Sequence, residues 1–194
     1  MKLLRTGKDK KINAILYFCQ NTKHLSQTKL YKLLFFLDFL HFKEAGRPVT
    51  DLEYFAWERG PVPRKLYFEI KNRSAPPEIM KCVIPKKDEM TGETEGVFFK
   101  TLAQPKMEVF SEREKRILEN VAYIFKDALA KDMTEISHLK NQPWQRTIST
   151  KGENSYIDFL LALDKDAKID EESAKERLDL HEEMKKLFGS ESKG

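Results

Sequence analysis

Residues 30–42 read LYKLLFFLDFLHF, and ten of these thirteen positions are apolar. The apolar side chains lie almost all round a helical wheel, which a helix with one face in water does not tolerate. The run is too short to cross a bilayer and contains Lys32 and Asp38. It therefore predicts a central, buried helix that ends near Gly46 and Pro48.

Further helices are predicted on both sides of the central one. Apolar residues recur at helical spacing within residues 8–21, which predicts a first amphipathic helix. Ser111 and Glu114 match a capping box at the start of a long helix whose apolar face continues to Leu129. A shorter helix is predicted over residues 133–139.

Extended chain is predicted in two places. The alternation within residues 49–62 indicates an extended stretch, closed by a turn at Gly60 and Pro61. Pro63 then suits the first turn of another helix. Between residues 81 and 102, two β-prone pieces flank a polar, glycine-containing loop, which predicts a β-hairpin.

The last part of the chain is predicted to be an appendage. Residues 147–154 are polar and include Gly152, which indicates a connector. We therefore predict a core domain over residues 1–150 and a C-terminal helical extension over residues 151–194, with its longer helix at 170–188. The fold class is mainly α (α+β): a compact helical domain around a buried central helix, with a small β-hairpin element.

Charge is distributed unevenly, although the formal net charge is only +4. Residues 1–50 hold ten Lys and Arg against three Asp and Glu, whereas residues 151–194 hold eight against twelve. A basic start attracts acidic proteins, nucleic acid or anionic membranes alike, so charge alone selects no partner. The lysines that could form one phosphate-binding patch are Lys8, Lys10, Lys11, Lys23, Lys29 and Lys32. No nucleic-acid reader motif accompanies them, so a solvated face is the simpler interpretation.

Motifs for catalysis or cofactor binding are absent from the sequence. The eight glycines match neither a P-loop nor a dinucleotide-binding loop, and no nucleophile elbow occurs. Cys19 and Cys82 lack metal or redox spacing, and the four histidines are far apart. We therefore expect no enzyme activity, no cofactor and no metal site. We interpret His138 as a structural hydrogen-bonding residue, because no partner for a catalytic base is apparent.

The sequence favours a cytoplasmic location. Its first ten residues, MKLLRTGKDK, contain no secretory apolar core, and only two cysteines occur in the chain. We expect a reducing compartment and no membrane partner.

Two stretches of the chain match one known pattern. The first joins the K-L-L-F-F core within residues 29–36 to A-W-E-R-G-P-V at residues 56–62. The second opens with the capping box at Ser111 and closes with S-H-x(4)-P-W at residues 137–144. In this order the two stretches resemble the Panacea, or SocA-like, antitoxin domain family, and the resemblance covers about residues 10–148.

The resemblance implies an antitoxin of a toxin-antitoxin system, which binds a cognate protein toxin and neutralises it by direct contact. Such an inhibitor needs surface complementarity and anchor residues rather than a nucleophile. Two alternatives stay open. One is a proteolytic adaptor that delivers a bound protein to a protease through the tail from about residue 164. The other is a DNA-binding autoregulator that uses the basic N-terminal helices, although nucleic acid is the less expected partner.

Aromatic residues and arginines in the two stretches are the candidates for partner contact. Trp and Arg concentrate interface energy when they are desolvated, and packing of the two tryptophans in the core is an equal alternative. The predicted partner-binding residues are Tyr54, Trp57, Arg59, Gly60, Pro61, Val62 and Trp144.

Overall fold

A computed structural model describes residues 7–87, 94–139 and 142–189. The helices and strands follow the order α1 (Gly7–Asn21), α2 (Gln27–Ala45), β1 (Tyr54–Trp57), β2 (Gly60–Pro63), α3 (Arg64–Lys71), α4 (Pro77–Met80), β3 (Val83–Lys87), β4 (Thr94–Phe99), α5 (Glu112–Ile124), α6 (Ala130–Ser137), α7 (Pro143–Lys151) and α8 (Glu171–Gly189). Two short 3-10 helices, Met107–Val109 and Phe159–Ala162, lie before α5 and after α7. The predicted class, mainly α with a small β content, is confirmed.

Helix α2 is the centre of the fold. It begins after Ser26, whose side chain accepts a hydrogen bond from the Lys29 backbone N–H. It ends at Gly46, which adopts a φ of +67° and donates its N–H to the Phe42 carbonyl. Helices α1, α5, α6 and α8, strands β2 and β4, and the second 3-10 helix all pack against it. The central, buried helix is thus confirmed.

A layer of aromatic rings links α2 to distant parts of the chain. Phe39 stacks on Phe159 with ring centroids 4.5 Å apart, and Phe35 meets Tyr54 edge-to-face at 5.4 Å. These pairs add favourable ring geometry to the burial of large apolar surfaces. They join the second 3-10 helix and β1 to the same core.

Strands β1 and β2 form an antiparallel hairpin in which Trp57 lies opposite Gly60. The turn therefore consists of Glu58 and Arg59, and the predicted turn at Gly60 and Pro61 is wrong. Gly60 begins β2 with a φ of +119°, a backbone conformation that glycine adopts without strain. The alternation of the sequence indicated extended chain correctly, but it did not show where the chain reverses.

The hairpin β1–β2 gains a third extended segment on its other side. The Ala56 N–H donates to the Ser155 carbonyl at 2.9 Å, and the Asn154 N–H donates to the Ala56 carbonyl at 2.7 Å. Phe55 and Tyr156 form an antiparallel bridge. The chain after α7 is thus bonded directly to the Trp57-containing strand.

The second hairpin, β3–β4, lies beside the start of α2. The Phe99 N–H donates to the Leu25 carbonyl at 2.8 Å, and Ser26 forms an antiparallel bridge with Phe98. The predicted hairpin between residues 81 and 102 is therefore confirmed, while its loop at 88–93 lies outside the described residues.

Two predicted boundaries are wrong. Residues 147–154 were expected to be a polar connector, but α7 continues to Lys151, because Thr147 is buried and Ile148 packs on the core. Helix α5 ends at Ile124 rather than near Leu129, which is 54% exposed. Polarity alone did not reveal a helix with one short buried face.

The C-terminal residues contribute to the same hydrophobic core. Its members after residue 151 are Ile157, Phe159, Ala162, Ile169 and Ala174. Lys43 on α2 pairs with Asp164 at 2.9 Å, and Arg177 on α8 donates to the Ala45 carbonyl at 3.5 Å. The division of the chain near residue 150 stays a prediction.

Candidate partner-binding site

Two lysines of α2 are buried in the middle of the molecule. The Lys29 side chain has no solvent exposure, and its ammonium donates to three backbone carbonyl oxygens, those of Lys23, Lys126 and Ala128. Burial lowers the pKa of Lys29, with Asp127 and Asp132 acting in the opposite direction. A cation that replaces its hydration shell with three carbonyls is satisfied internally. Lys29 therefore ties α2 to the chain between α5 and α6.

Lys32 lies one helical turn further along and has a different environment. It is 1% exposed, and its ammonium donates to the Arg59 carbonyl at 2.7 Å. No other described residue accepts a hydrogen bond from it. Burial lowers the pKa of Lys32 to about 8, so the side chain stays largely protonated at neutral pH. Lys32 holds the β1–β2 turn against the start of α2.

A cavity of about 340 Å³ opens beside this turn. The Lys32 side chain contributes to its lining, and Tyr31, Trp57, Val62 and Tyr67 supply apolar and aromatic wall. Trp57 and Tyr67 meet edge-to-face with centroids 4.9 Å apart. Its size lies at the lower end of the range for ligand pockets, and its composition is typical of them.

The second of the two matching stretches, residues 111–144, contacts the β1–β2 turn through Trp144. The indole N–H of Trp144 donates to the Trp57 carbonyl at 3.0 Å. The His138 ring stacks on Trp144 with centroids 3.7 Å apart and an angle of 6° between the planes. Burial, and next the charge of Lys32, lower the pKa of His138, which favours the neutral ring. The His138 Nε2 atom is buried and has no hydrogen-bond partner among the described residues. The sequence predicted a hydrogen-bonding role for His138, whereas the described contact of its ring is the stacking on Trp144.

A buried carboxylate fixes the chain that leads into β1. Asp38 on α2 accepts hydrogen bonds from the backbone N–H groups of Val49 and Thr50 and from the hydroxyls of Thr50 and Tyr54. Burial raises the pKa of Asp38 to about 6, although the four hydrogen bonds favour the ionised form. The network sets the position at which Tyr54 enters the hairpin.

Four of the predicted partner-binding residues line the cavity, and three do not. Of the lining residues, Trp57 and Val62 are half-buried, Arg59 is exposed and Pro61 is buried. The other three, Tyr54, Gly60 and Trp144, are buried. Six of the seven therefore belong to the β1–β2 hairpin, and Trp144 is hydrogen-bonded to it. Contact of any of them with a partner stays a prediction.

The six lysines considered as a phosphate-binding patch do not share one solvated face. Lys29 and Lys32 are buried, Lys10 pairs with Glu114 at 2.7 Å, and Lys23 pairs with Asp127 at 2.8 Å. Lys11 pairs with Glu69 at 3.3 Å. The interpretation of Lys29 and Lys32 as surface residues is wrong, because their ammonium groups bind carbonyls inside the fold.

Some of the residues that build the site were not singled out by the sequence. Tyr31, Tyr67 and Gln27 line the cavity but belong to helices that the sequence explained as core. A usable signal was present, because Lys29 and Lys32 lie in a helix that is apolar almost all round. A lysine in such a helix requires internal acceptors or a partner.

Within the described ranges, no group of three or more His, Cys, Asp and Glu side chains is arranged to hold a metal ion. In the same ranges no helix combines the length and the apolar character that crossing a membrane requires.

Comparison with known proteins shows the family. The family model described as "Antitoxin SocA-like, Panacea domain" matches residues 30–145, which is more than half of the chain. The chain belongs to the SocA-like, Panacea domain family. Comparison with curated proteins and with solved structures found no match. The resemblance that the two signature stretches carried is therefore confirmed, and the Panacea match ends just after Trp144, beneath the β1–β2 turn.

Proposed function

We propose that this Panacea-family chain is an antitoxin that neutralises a cognate protein toxin by binding it directly through the surface around the β1–β2 turn. The observation that carries the proposal is the convergence of both signature stretches at this turn. Lys32 and Trp144, which belong to different stretches, donate hydrogen bonds to the carbonyls of Arg59 and Trp57. A turn held from two sides is preorganised, and preorganisation lowers the cost of binding.

The side chains at the turn suit a protein interface. Trp57 is half-buried against Tyr67, so it is rigid yet retains exposed surface. Arg59 is exposed, and no described residue pairs with its guanidinium. Aromatic and arginine side chains in such positions supply much of the energy of protein interfaces. This surface therefore offers anchors without any need for a reactive group.

The test is co-expression with the product of the adjacent gene. We expect that product to arrest growth alone, the full chain to restore growth, and the two proteins to copurify as a complex. An adjacent product that is harmless, or growth restored without a complex, would contradict direct neutralisation.

Substitutions then test the surface. Arg59→Ala changes an exposed side chain and should leave folding intact while weakening the complex about tenfold or more. Tyr123→Ala is the matched control, because Tyr123 is an 82% exposed aromatic on α5. Equal effects of the two variants on the dissociation constant would place the interface elsewhere.

A further inference from the structure

The two buried lysines of α2 differ in how their charge is satisfied. Lys29 and Lys32 lie on successive turns and both are almost fully buried. The Lys29 ammonium meets three carbonyl oxygens, which match its three N–H donors. The Lys32 ammonium meets one carbonyl oxygen among the described residues. Two N–H donors of this buried cation therefore have no acceptor among the described residues, and Lys32 is one of the residues that line the cavity.

No described group near Lys32 supplies the missing negative charge. Burial and the Lys32 charge itself lower the pKa of His138, which favours the neutral imidazole. The Tyr31 hydroxyl accepts a hydrogen bond from Gln27. Glu58 and Glu153 lie at the exposed rim of the cavity, and neither forms an ion pair with Lys32. Buried charges in proteins are usually paired, so the isolated ammonium points to an anion that comes from outside the chain.

The start of α2 also borders the cavity. Gln27 and Thr28, the first two residues of this 19-residue helix, line the same cavity as Lys32. The first backbone N–H groups of a helix and its dipole favour an anion at this end. A buried ammonium and the start of a helix therefore border the same cavity.

The walls of the cavity restrict the kind of anion. Trp57, Val62 and Tyr67 provide apolar surface around the approach to Lys32. A phosphate carries more charge and more acceptor atoms than one ammonium and apolar walls satisfy. A carboxylate on a short aliphatic stem matches both the walls and the two free donors.

We propose that the cavity receives one carboxylate of the bound protein partner, with the ammonium of Lys32 as its counterion. The inference rests on the proposed function and adds to it the chemistry of the group that is recognised. The carboxylate is either an Asp or Glu side chain or the C-terminal carboxylate of the partner, and the two sources share one chemistry.

Three peptides test the site on the full chain. The first is blocked at both ends and carries one Glu between apolar residues, the second has Gln instead, and the third has no acidic side chain but a free C-terminal carboxylate. Inorganic phosphate is the fourth probe. The chain has two tryptophans, so its indole N–H resonances are readily distinguished. The Trp57 resonance reports on the cavity wall.

Binding of the Glu peptide or of the free-C-terminus peptide at least tenfold tighter than the Gln peptide supports the proposal, and the tighter of the two identifies the source. Lys32→Met should abolish this discrimination, whereas Lys65→Met, which removes the same charge from the exposed surface of α3, should preserve it. An unchanged melting temperature or a higher one shows that Lys32→Met is folded. Equal binding of the Glu and Gln peptides, tighter binding of phosphate, or no binding at all overturns the proposal.

Assays with the toxin distinguish a failure of this inference from a failure of the proposed function. If Lys32→Met neutralises the toxin as well as the unmodified chain does, the carboxylate site is wrong and direct neutralisation stands. If the unmodified chain forms no complex with the toxin, the proposed function fails whatever the peptides do.

Discussion

The ammonium of Lys32 donates a 2.7 Å hydrogen bond to the carbonyl oxygen of Arg59 and thereby joins the central helix to the β1–β2 turn. The contact lies between residues 27 positions apart, and it places a buried charge next to the most exposed part of the candidate site. The stability of the fold and the properties of the site are therefore linked at this lysine.

Lys32→Met should raise the free energy of unfolding at pH 7 by about 1–2 kcal/mol, because an apolar side chain of similar length replaces a desolvated charge. The lost hydrogen bond to Arg59 offsets part of the gain. Urea denaturation of both proteins measures the difference. A variant that is clearly less stable at pH 7 would show that the charge is compensated in the folded state.

The stability difference between the Lys32→Met variant and the unmodified chain should depend on pH. With a folded-state pKa of about 8 and an ordinary value of 10.5, the folded chain binds fewer protons than the unfolded chain between these values. The unmodified chain should therefore gain stability relative to the variant as pH rises from 8 to 10.5, by up to about 3 kcal/mol. Denaturation at pH 7, 8.5 and 10 tests this, and a constant difference would mean that the Lys32 pKa is not lowered.

Lys29→Met should have the opposite effect, although it makes the same chemical change one helical turn away. It leaves the carbonyls of Lys23 and Ala128 without this donor, whereas the Lys126 carbonyl keeps its hydrogen bond from the Lys23 N–H. Each unsatisfied acceptor costs about 1–3 kcal/mol, so we expect a loss of at least about 2 kcal/mol in urea denaturation. Similar effects of the two lysine substitutions would contradict the difference in their environments.

Asp38→Ala should destabilise the chain by about 3–5 kcal/mol, because four buried donors lose their acceptor. Tyr54→Phe removes the hydroxyl donor itself, so no buried donor is left unsatisfied, and it should cost only about 1 kcal/mol. Thermal and urea unfolding of both variants measure the difference. Equal losses would mean that the Tyr54 hydrogen bond accounts for the entire role of Asp38.

Gly46→Ala should destabilise the contact between α2 and α8. Gly46 has a φ of +67°, and a Cβ atom there would lie 3.2 Å from the Cα atom of Ala174. Strain and crowding together should cost about 2 kcal/mol. Gly96→Ala is the control, since Gly96 lacks a positive φ and has open space around its Cβ position. An equal loss at the two positions would contradict the strain and crowding at Gly46.

The packing of the chain after residue 164 against α2 changes how the adaptor alternative is tested. Deleting residues 164–194 would remove Ile169 and Ala174 from the core and expose the end of α2, so lost binding would report unfolding. A substitution at the 59% exposed Leu180 alters the surface of α8 without that effect.

The sequence by itself determined the central helix, the capping box at Ser111 and the second hairpin, because each depends on residues close together in the chain. It also determined the family, which depends on the order of two such stretches. Only the tertiary structure decided that the chain reverses at Glu58 and Arg59, because the reversal depends on the register that β2 adopts against β1. It alone showed that Lys29 and Lys32 bind internal carbonyls, since those acceptors lie on segments up to 99 residues away. Local patterns report which side chains avoid water, whereas the partner of a buried charge is set by segments that meet only when the chain folds.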